Sequence, residues 1–253
     1  MNRQKHHLVD RDVAQQRCDW EDLAGLDAMW AVFSDPSRQF GNWRAEEFFS
    51  TAVEEIRELK RLIGAVGFPG NFDSALDFGC GLGRLTRALK PFCREVIGVD
   101  ISERMVSQAK LLTPNCQFLH NPYSDLRIFP SGRFDLVYSF QVLQHQRSVK
   151  LITGYVSEFI RVLKPGGLAV FQVPYHISPW HRIQPARRLY QVLRLMGIPA
   201  RTLYRNGLIP MCMTPASEQE ITASVHDAGG RVLAVEFDRS CPRAKSKLYC
   251  GTK

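Results

Sequence analysis

The sequence lacks the features that announce several protein classes. No apolar run approaches the roughly 20 residues needed to span a bilayer. The stretch from Met1 to Trp20 is polar and charged, without the apolar centre of a secretory signal. The expected location is therefore the cytosol. Seven cysteines (18, 80, 93, 116, 212, 241 and 250) include no CxxC pair, and their number is odd. That argues against a zinc site or a disulfide framework, so free thiols and no metal are expected. There is no internal repeat and no low-complexity segment. Residues 175–216 contain no acidic residue.

What is present is ordinary globular material: 253 residues, 45% hydrophobic and 23% charged, enough for one large α/β domain. The net charge of +8 is unevenly placed. Residues 1–75 carry 9 Lys/Arg against 13 Asp/Glu, residues 76–174 carry 12 against 7, and residues 175–253 carry 12 against 5. Six arginines (182, 187, 188, 194, 201 and 205) fall in the acid-free stretch. A basic balance of this kind points to an anionic partner without identifying it.

The periodicity changes along the chain. Trp20, Leu23, Leu26, Met29, Trp30 and Phe33 recur at helical spacing, which predicts a helix within residues 1–33. Phe48, Phe49, Val53, Ile56, Leu59, Leu62 and Ile63 predict a second helix over 44–66. From residue 74, short apolar runs alternate with helical patterns. Strands are expected at 75–78, 95–99, 117–120, 134–139 and 168–173, with helices at 83–91, 102–111 and 148–163. This alternation implies a parallel sheet flanked by helices. Residues 175–216 break the rhythm, and it resumes with a helix at 217–228 and strands at 231–237 and 247–251.

The most informative stretch is Leu76-Asp77-Phe78-Gly79-Cys80-Gly81-Leu82-Gly83, at the end of the first strand. Its glycines permit a tight turn and close approach of a ligand to backbone. A second strand, Val96 to Asp100, ends in an acid 17 residues after Gly83, where a carboxylate can accept from both hydroxyls of a ribose. A dinucleotide fingerprint requires glycine three positions after Gly81, and Arg84 stands there. Asp77 would also repel a pyrophosphate. The loop therefore favours a cationic ligand with an amino group, S-adenosylmethionine, over NAD and its hydride chemistry.

With these motifs in order, the chain resembles a class I S-adenosylmethionine-dependent methyltransferase of the methyltransferase-11 type. The resemblance is carried by Leu76–Gly83, Val99-Asp100-Ile101-Ser102 with Met105, Phe134-Asp135-Leu136-Val137, Val142-Leu143-Gln144-His145 and Arg161 to Gly167. It implies a Rossmann-like, doubly wound, mostly parallel sheet with an antiparallel last strand. The expected organisation is a single domain: a helical cap over 1–70, a cofactor-binding core over 71–174, a substrate lid inserted at 175–216, and the end of the core at 217–253. In cofactor binding, Asp77 would hold the amino group of the methionine moiety, directly or through water. Gly79, Cys80, Gly81 and Gly83 would form the loop, Asp100 would take the ribose, and Ile101 would pack on the adenine; Met105 is a further cofactor-binding candidate, with a core position the better reading. Asn121 would stand at the adenine edge, where relatives often carry an acid. Phe140 and Gln141 would flank the reactive methyl.

On the acceptor side, His145 and His176 are the expected catalytic candidates, with Tyr175, Trp180 and His181 nearby. A histidine there can take a proton from an acceptor hydroxyl. Residues 186–196 read as an amphipathic helix, expected to pack its apolar side on the core and leave a basic face in water. The resulting expectation is methyl transfer to a small molecule, at oxygen, with an anionic or lipid-linked acceptor and possible contact with a membrane surface. Nitrogen or carbon methylation and a non-catalytic adenosylmethionine binder are the alternatives. The absence of an Asn/Asp-Pro-Pro-Tyr run after Ser139 disfavours nucleic-acid bases as acceptors.

Overall fold

The computed structural model describes residues 2–178, 182–238, 240 and 244–253. Seven strands form one sheet: β1 (Phe72–Phe78), β2 (Cys93–Asp100), β3 (Gln117–His120), β4 (Phe134–Ser139), β5 (Leu163–Ile177), β6 (Arg231–Asp238) and β7 (Ala244–Thr252). Their order is β3-β2-β1-β4-β5-β7-β6. The first five strands pair in parallel, and β7 runs antiparallel to both β5 and β6. This is the doubly wound sheet with a reversed last strand that the motif order implied. The strand order turns outward in both directions from the β1/β4 pair, and ligand crevices form at such a switch point.

Both faces of the sheet are covered, which is why its central strands are almost wholly apolar. On one face, Leu76, Phe78, Ile97, Val99 and Val137 pack with α6 (Val149–Val162) and α9 (Glu218–Asp227). On the other, Ala75, Val96, Leu136 and Tyr138 pack with α3 (Ala52–Ala65) and α4 (Arg84–Leu89). Helix α3 owes its place to Ile56, Leu59, Leu62 and Ile63, spaced along one buried stripe. Each such side chain contributes roughly 1.5–3 kcal/mol on burial.

The structure divides two of the helices expected from periodicity. The helix anticipated over 44–66 is α2 (Ala45–Ser50) followed by α3, with Thr51 between them donating its hydroxyl to the Phe48 carbonyl at 2.6 Å. Helix α1 (Asn2–Val32) breaks at Asp27, where φ is −162° and ψ is 76°. The Asp27 carboxylate there accepts from the Gly41 amide and the Tyr204 hydroxyl, both at 2.9 Å. The apolar side of α1, with Leu23, Ala24, Ala28 and Ala31, packs on Phe48, Leu82 and Met105, the last of these on α5 (Glu103–Leu112).

Between β5 and α9 lie α7 (Pro185–Leu195) and α8 (Ala200–Arg205). Here the expected packing of α7 fails. Tyr190 is its only buried residue, whereas Leu189, Val192 and Leu195 are exposed, together with Met196 and Ile183 at its ends. The helix touches the body of the protein through Tyr190 and polar ties, so its apolar face meets solvent. Among the described residues, no helix is long and apolar enough to cross a membrane. No group of His, Cys, Asp and Glu there is arranged to hold a metal, and the six described cysteines are free thiols. Cys241 lies outside the described residues.

Candidate active site

Strand β1 delivers its carboxyl end into a loop that leans on β2. The amides of Gly79 and Cys80 both donate to the Val99 carbonyl, at 2.8 and 2.9 Å. Gly79 has a φ of +76° and Gly81 of +51°. A Cβ on Gly79 would lie 2.4 Å from both methyls of Val142, and one on Gly81 would lie 2.5 Å from a methyl of Val32. Both positions therefore demand glycine for conformation and for space. The Cys80 thiol is buried, which pushes its pKa well above the ordinary value, so it is a neutral wall rather than a nucleophile.

Asp100 ends β2 facing this loop. One carboxylate oxygen accepts from the Gly81 amide and the other from the Ser102 amide, each at 2.9 Å. Each oxygen retains acceptor capacity for a ribose hydroxyl. Burial raises the pKa of Asp100. Ser102 itself caps α5, its hydroxyl accepting from the Met105 amide at 3.1 Å, so Asp100 is free of that duty.

Asn121 follows β3. Its amide nitrogen donates to the Asp125 carbonyl at 2.8 Å, which fixes the side-chain orientation. Its carbonyl oxygen is buried with no hydrogen-bond partner. An unsatisfied buried acceptor is uncommon and calls for an explanation. The exocyclic amino group of an adenine would satisfy it. Past β4, Gln141 adopts a left-handed φ of +59°, a strained conformation for a residue with a side chain. Its amide is held by the Gln172 side chain at 3.0 Å, and Gln172 is in turn bonded to Asp238.

One cleft of about 520 Å³ collects these groups. Gly79, Cys80, Gly81, Asp100, Ile101, Met105, Asn121, Phe140 and Gln141, all named from the sequence as cofactor candidates, line it. Trp20 and Phe33 from the N-terminal segment, with Gln184, Arg187, Met211 and Cys212 from the segment before α9, line it as well. Ligand polarity follows from the charges. Asp100 is the only acid on the lining, and Asp77 lies just behind it. Desolvation raises the pKa of both, so a cation is welcome there.

His145 also lines the cleft, in the 3-10 turn Leu143–His145. Its Nδ1 lies 2.8 Å from the Cys212 carbonyl and its Nε2 lies 3.1 Å from the Gln144 amide nitrogen. A carbonyl only accepts, so Nδ1 carries the proton and Nε2 presents a lone pair. Burial lowers the His145 pKa, which keeps the ring neutral. Trp20 packs edge-on against it with centroids 5.5 Å apart.

Three expected residues stand elsewhere. Asp77 does not line the cleft. It is 1% exposed and accepts from the Thr86 hydroxyl at 2.6 Å, on the α4 side of the sheet, so it braces the loop from behind. Gly83 packs beneath the loop against Phe118 and Thr113. His176 is exposed in the β5–β7 ladder opposite Lys245 and is not brought to the cleft, because the strand carries its side chain outward. Tyr175 packs on Phe237. Trp180 and His181 lie outside the described residues.

Other lining residues were not anticipated from sequence. Arg84, 3% exposed, is neutralised by Glu55 of α3 at 2.9 Å. Gln144 and the Cys212 carbonyl orient His145, and a backbone carbonyl leaves no trace in residue identity.

Residues 76–171 match the family model described as a methyltransferase domain. Nodulation protein S of Sinorhizobium fredii is 25% identical over 168 residues, 65% of this chain and 76% of that protein. Trans-aconitate 2-methyltransferase of an Enterobacter species is 29% identical over 141 residues, 54% of this chain and 53% of that one. The curated relatives are matched only in part, from 25% to 76% of their own lengths. Magnesium protoporphyrin IX methyltransferase of Synechocystis, solved with bound SAH, shares the fold with a TM-score of 0.61 at 19% identity, covering 96% of this chain and 99% of that one. The match to the methyltransferase domain thus spans residues 76–171, around the glycine loop at the sheet's switch point, and the likeness to the solved methyltransferase is one of fold.

Proposed function

We propose that this protein transfers the methyl group of S-adenosylmethionine to an oxygen of a small, anionic acceptor. The reading treats residues 1–253 as one domain, with 1–70 as a cap and 175–216 as a lid over the acceptor end of the cleft. When bound, the cofactor supplies an electrophilic methyl on a sulfonium. Asp100 would hold the ribose, the Asn121 carbonyl the adenine amino group, and the backbone of Gly79 to Gly81 the methionine portion. Ile101 and Met105 would pack on the base, and Phe140 and Gln141 would border the methyl. Asp77 fits an indirect role, its charge lying behind the loop that meets the amino group.

Methyl transfer is an in-line displacement that depends on alignment at roughly 3 Å and exclusion of water. His145 is placed to take the proton of an acceptor hydroxyl on Nε2, displacing the Gln144 amide from that lone pair. The acceptor oxygen forms the new C–O bond as the C–S bond breaks, and its electron pair stays on sulfur. The anionic character of the acceptor is carried by one observation. Of the two arginines lining the cleft among the described residues, Arg84 is paired with Glu55, whereas Arg187 has no carboxylate within ion-pair distance and bonds the Gln184 side-chain carbonyl oxygen at 2.9 Å and the Gln191 amide. Titration calorimetry with S-adenosylmethionine and NAD, followed by labelled-methyl transfer to a metabolite extract, tests the reading. Binding of NAD instead of S-adenosylmethionine, or binding without transfer, would refute it.

A lipid-linked acceptor is the second reading, favoured by the exposed Leu189, Val192, Leu195 and Met196 on α7. It expects sedimentation with anionic vesicles that is lost in Val192→Gln/Leu195→Gln. No sedimentation excludes it and leaves a water-soluble acceptor.

A further inference from the structure

Beside the cleft lies a second, smaller cavity of about 260 Å³. Four arginines line it: Arg147 from the turn before α6, Arg182 just before α7, and Arg187 and Arg188 from the first turn of α7. No acidic residue is on its lining. It shares Gln184, Arg187, Cys212 and Met213 with the main cleft, so the two are neighbours across one wall.

The charges here are only partly compensated. Arg147 pairs with Asp19 at 3.0 Å and Asp12 at 3.6 Å. In the amide orientation that satisfies both donors, the Gln191 carbonyl accepts from Arg147 and Arg187 at 3.2 Å each. Among the described residues, Arg182, Arg187 and Arg188 have no carboxylate within ion-pair distance, and the nearby Asp22 is occupied by Arg194. The Nε of Arg187 is buried without a hydrogen-bond partner, and that of Arg147 faces only the Asp12 carboxylate at 3.6 Å. Burial, with Arg147 and Arg188 close by, holds the Arg187 guanidinium below its ordinary pKa.

The backbone adds to the same field. Helix α7 opens on Gln184, held in a left-handed conformation at φ 47° and making no side-chain cap, and no acid lies in the first turn. The positive end of an 11-residue helix therefore lies at the cavity that Arg182, Arg187 and Arg188 line. Natural proteins avoid gathering like charges in a partly buried space unless an anion is to occupy it.

We propose that this arginine-lined cavity is the subsite for the anionic group of the acceptor, a phosphate or a carboxylate, held across the shared wall from the methyl-transfer end of the cleft. The inference rests on the acceptor-site reading above. It assigns Arg187 to both compartments and Arg182 and Arg188 to the subsite alone. Arg182 and Arg188 act on substrate specificity rather than on cofactor binding.

The test uses the full chain, with Arg182→Gln/Arg188→Gln as the variant, because both side chains are exposed and outside the cofactor end. S-adenosylmethionine affinity by calorimetry is expected to be unchanged, which separates this proposal from the function reading. Inorganic phosphate titrated at constant ionic strength should bind the wild type and bind the variant at least tenfold more weakly. In the labelled-methyl assay on a metabolite extract, wild-type products should be retained on an anion-exchange column. The variant should lose at least tenfold of that retained label. Phosphate binding equal in the two proteins, or labelled products that are uncharged, would overturn the subsite while leaving the methyltransferase reading intact. Loss of cofactor binding by the wild type would instead defeat the reading on which it rests.

Discussion

Asp77 offers a quantitative test of how the cofactor loop is braced. Burial pushes its pKa from 3.8 to about 6, the Thr86 hydrogen bond and Arg84 offsetting only part of the desolvation. A carboxyl whose folded pKa is raised is most favourable to folding below its unfolded pKa, where both states are protonated. As pH rises from 3.8 to about 6 the folded state holds the proton longer, and stability falls. A shift of about two units corresponds to roughly 3 kcal/mol. Asp77→Asn abolishes the titration while its carbonyl can still accept from Thr86. The new amide NH₂ carries a pH-independent cost of about 1–3 kcal/mol if it finds no partner, so the observable is the slope. Urea unfolding of both proteins from pH 4 to pH 8 should show the variant gaining on the wild type by roughly 2 kcal/mol between pH 4 and pH 6 and a few tenths more up to about pH 7, then running parallel. A difference that stays flat across that window would show that the Asp77 carboxyl is not desolvated as described.

Gly79→Ala should destabilise the protein by at least ~2 kcal/mol, from left-handed strain and a clash with Val142. Val142→Ala should relieve the clash alone, so thermal unfolding of the double variant should recover only part of the loss. Glu55→Ala leaves the buried Arg84 guanidinium unpaired and should cost about 3–5 kcal/mol in urea unfolding. Most of that should return in Arg84→Met/Glu55→Leu, and a silent Glu55→Ala would contradict the pairing. His145→Gln should lower transfer by on the order of 100-fold with unchanged S-adenosylmethionine affinity. In the wild type the acidic limb of the rate profile should fall below the ordinary imidazole value of 6.5, because burial lowers the His145 pKa. A limb at or above 6.5 would remove His145 from the base role.

Much of the cofactor end was legible because its signals are local. Three glycines after an apolar strand, an acid ending the next strand, and strand–helix alternation all depend on neighbours in sequence. The side of the sheet on which Asp77 lies was legible on the same grounds. Strand residues alternate between faces, so Asp77 shares the face of Ala75, which α4 covers, rather than that of Leu76 and Phe78. The acceptor end was less legible because its contacts are long-range. Nothing in the identity of Cys212 predicts that its carbonyl fixes the tautomer of His145, 67 positions away. His176 follows a register shift between Pro174 and His176, which defeats simple alternation. The amphipathic pattern of α7 foretold an apolar face but not that the body of the protein would leave it uncovered.

The opposed charges of the two ends of the chain also acquire separate meanings. Acidic residues of α1 make three contacts at or beside segment 185–205: Asp19 to Arg147 beside it, Asp22 to both Arg194 and the Tyr190 hydroxyl, and Asp27 to the Tyr204 hydroxyl. The Asp22–Arg194 pair is half exposed and is worth only about 0–1 kcal/mol, less in salt. Asp27 and Tyr204 are both buried, and removing either would strand a polar group away from water. Contact of segment 185–205 with α1 is therefore held chiefly by this neutral-to-carboxylate bond and the packing of Tyr204 on Trp30, not by the general attraction of an acidic and a basic segment. Charge pairing uses up Arg194 and Arg147 at the edges and, among the described residues, leaves Arg182, Arg187 and Arg188 without a carboxylate within ion-pair distance. A basic excess meant only for docking would have been neutralised there first.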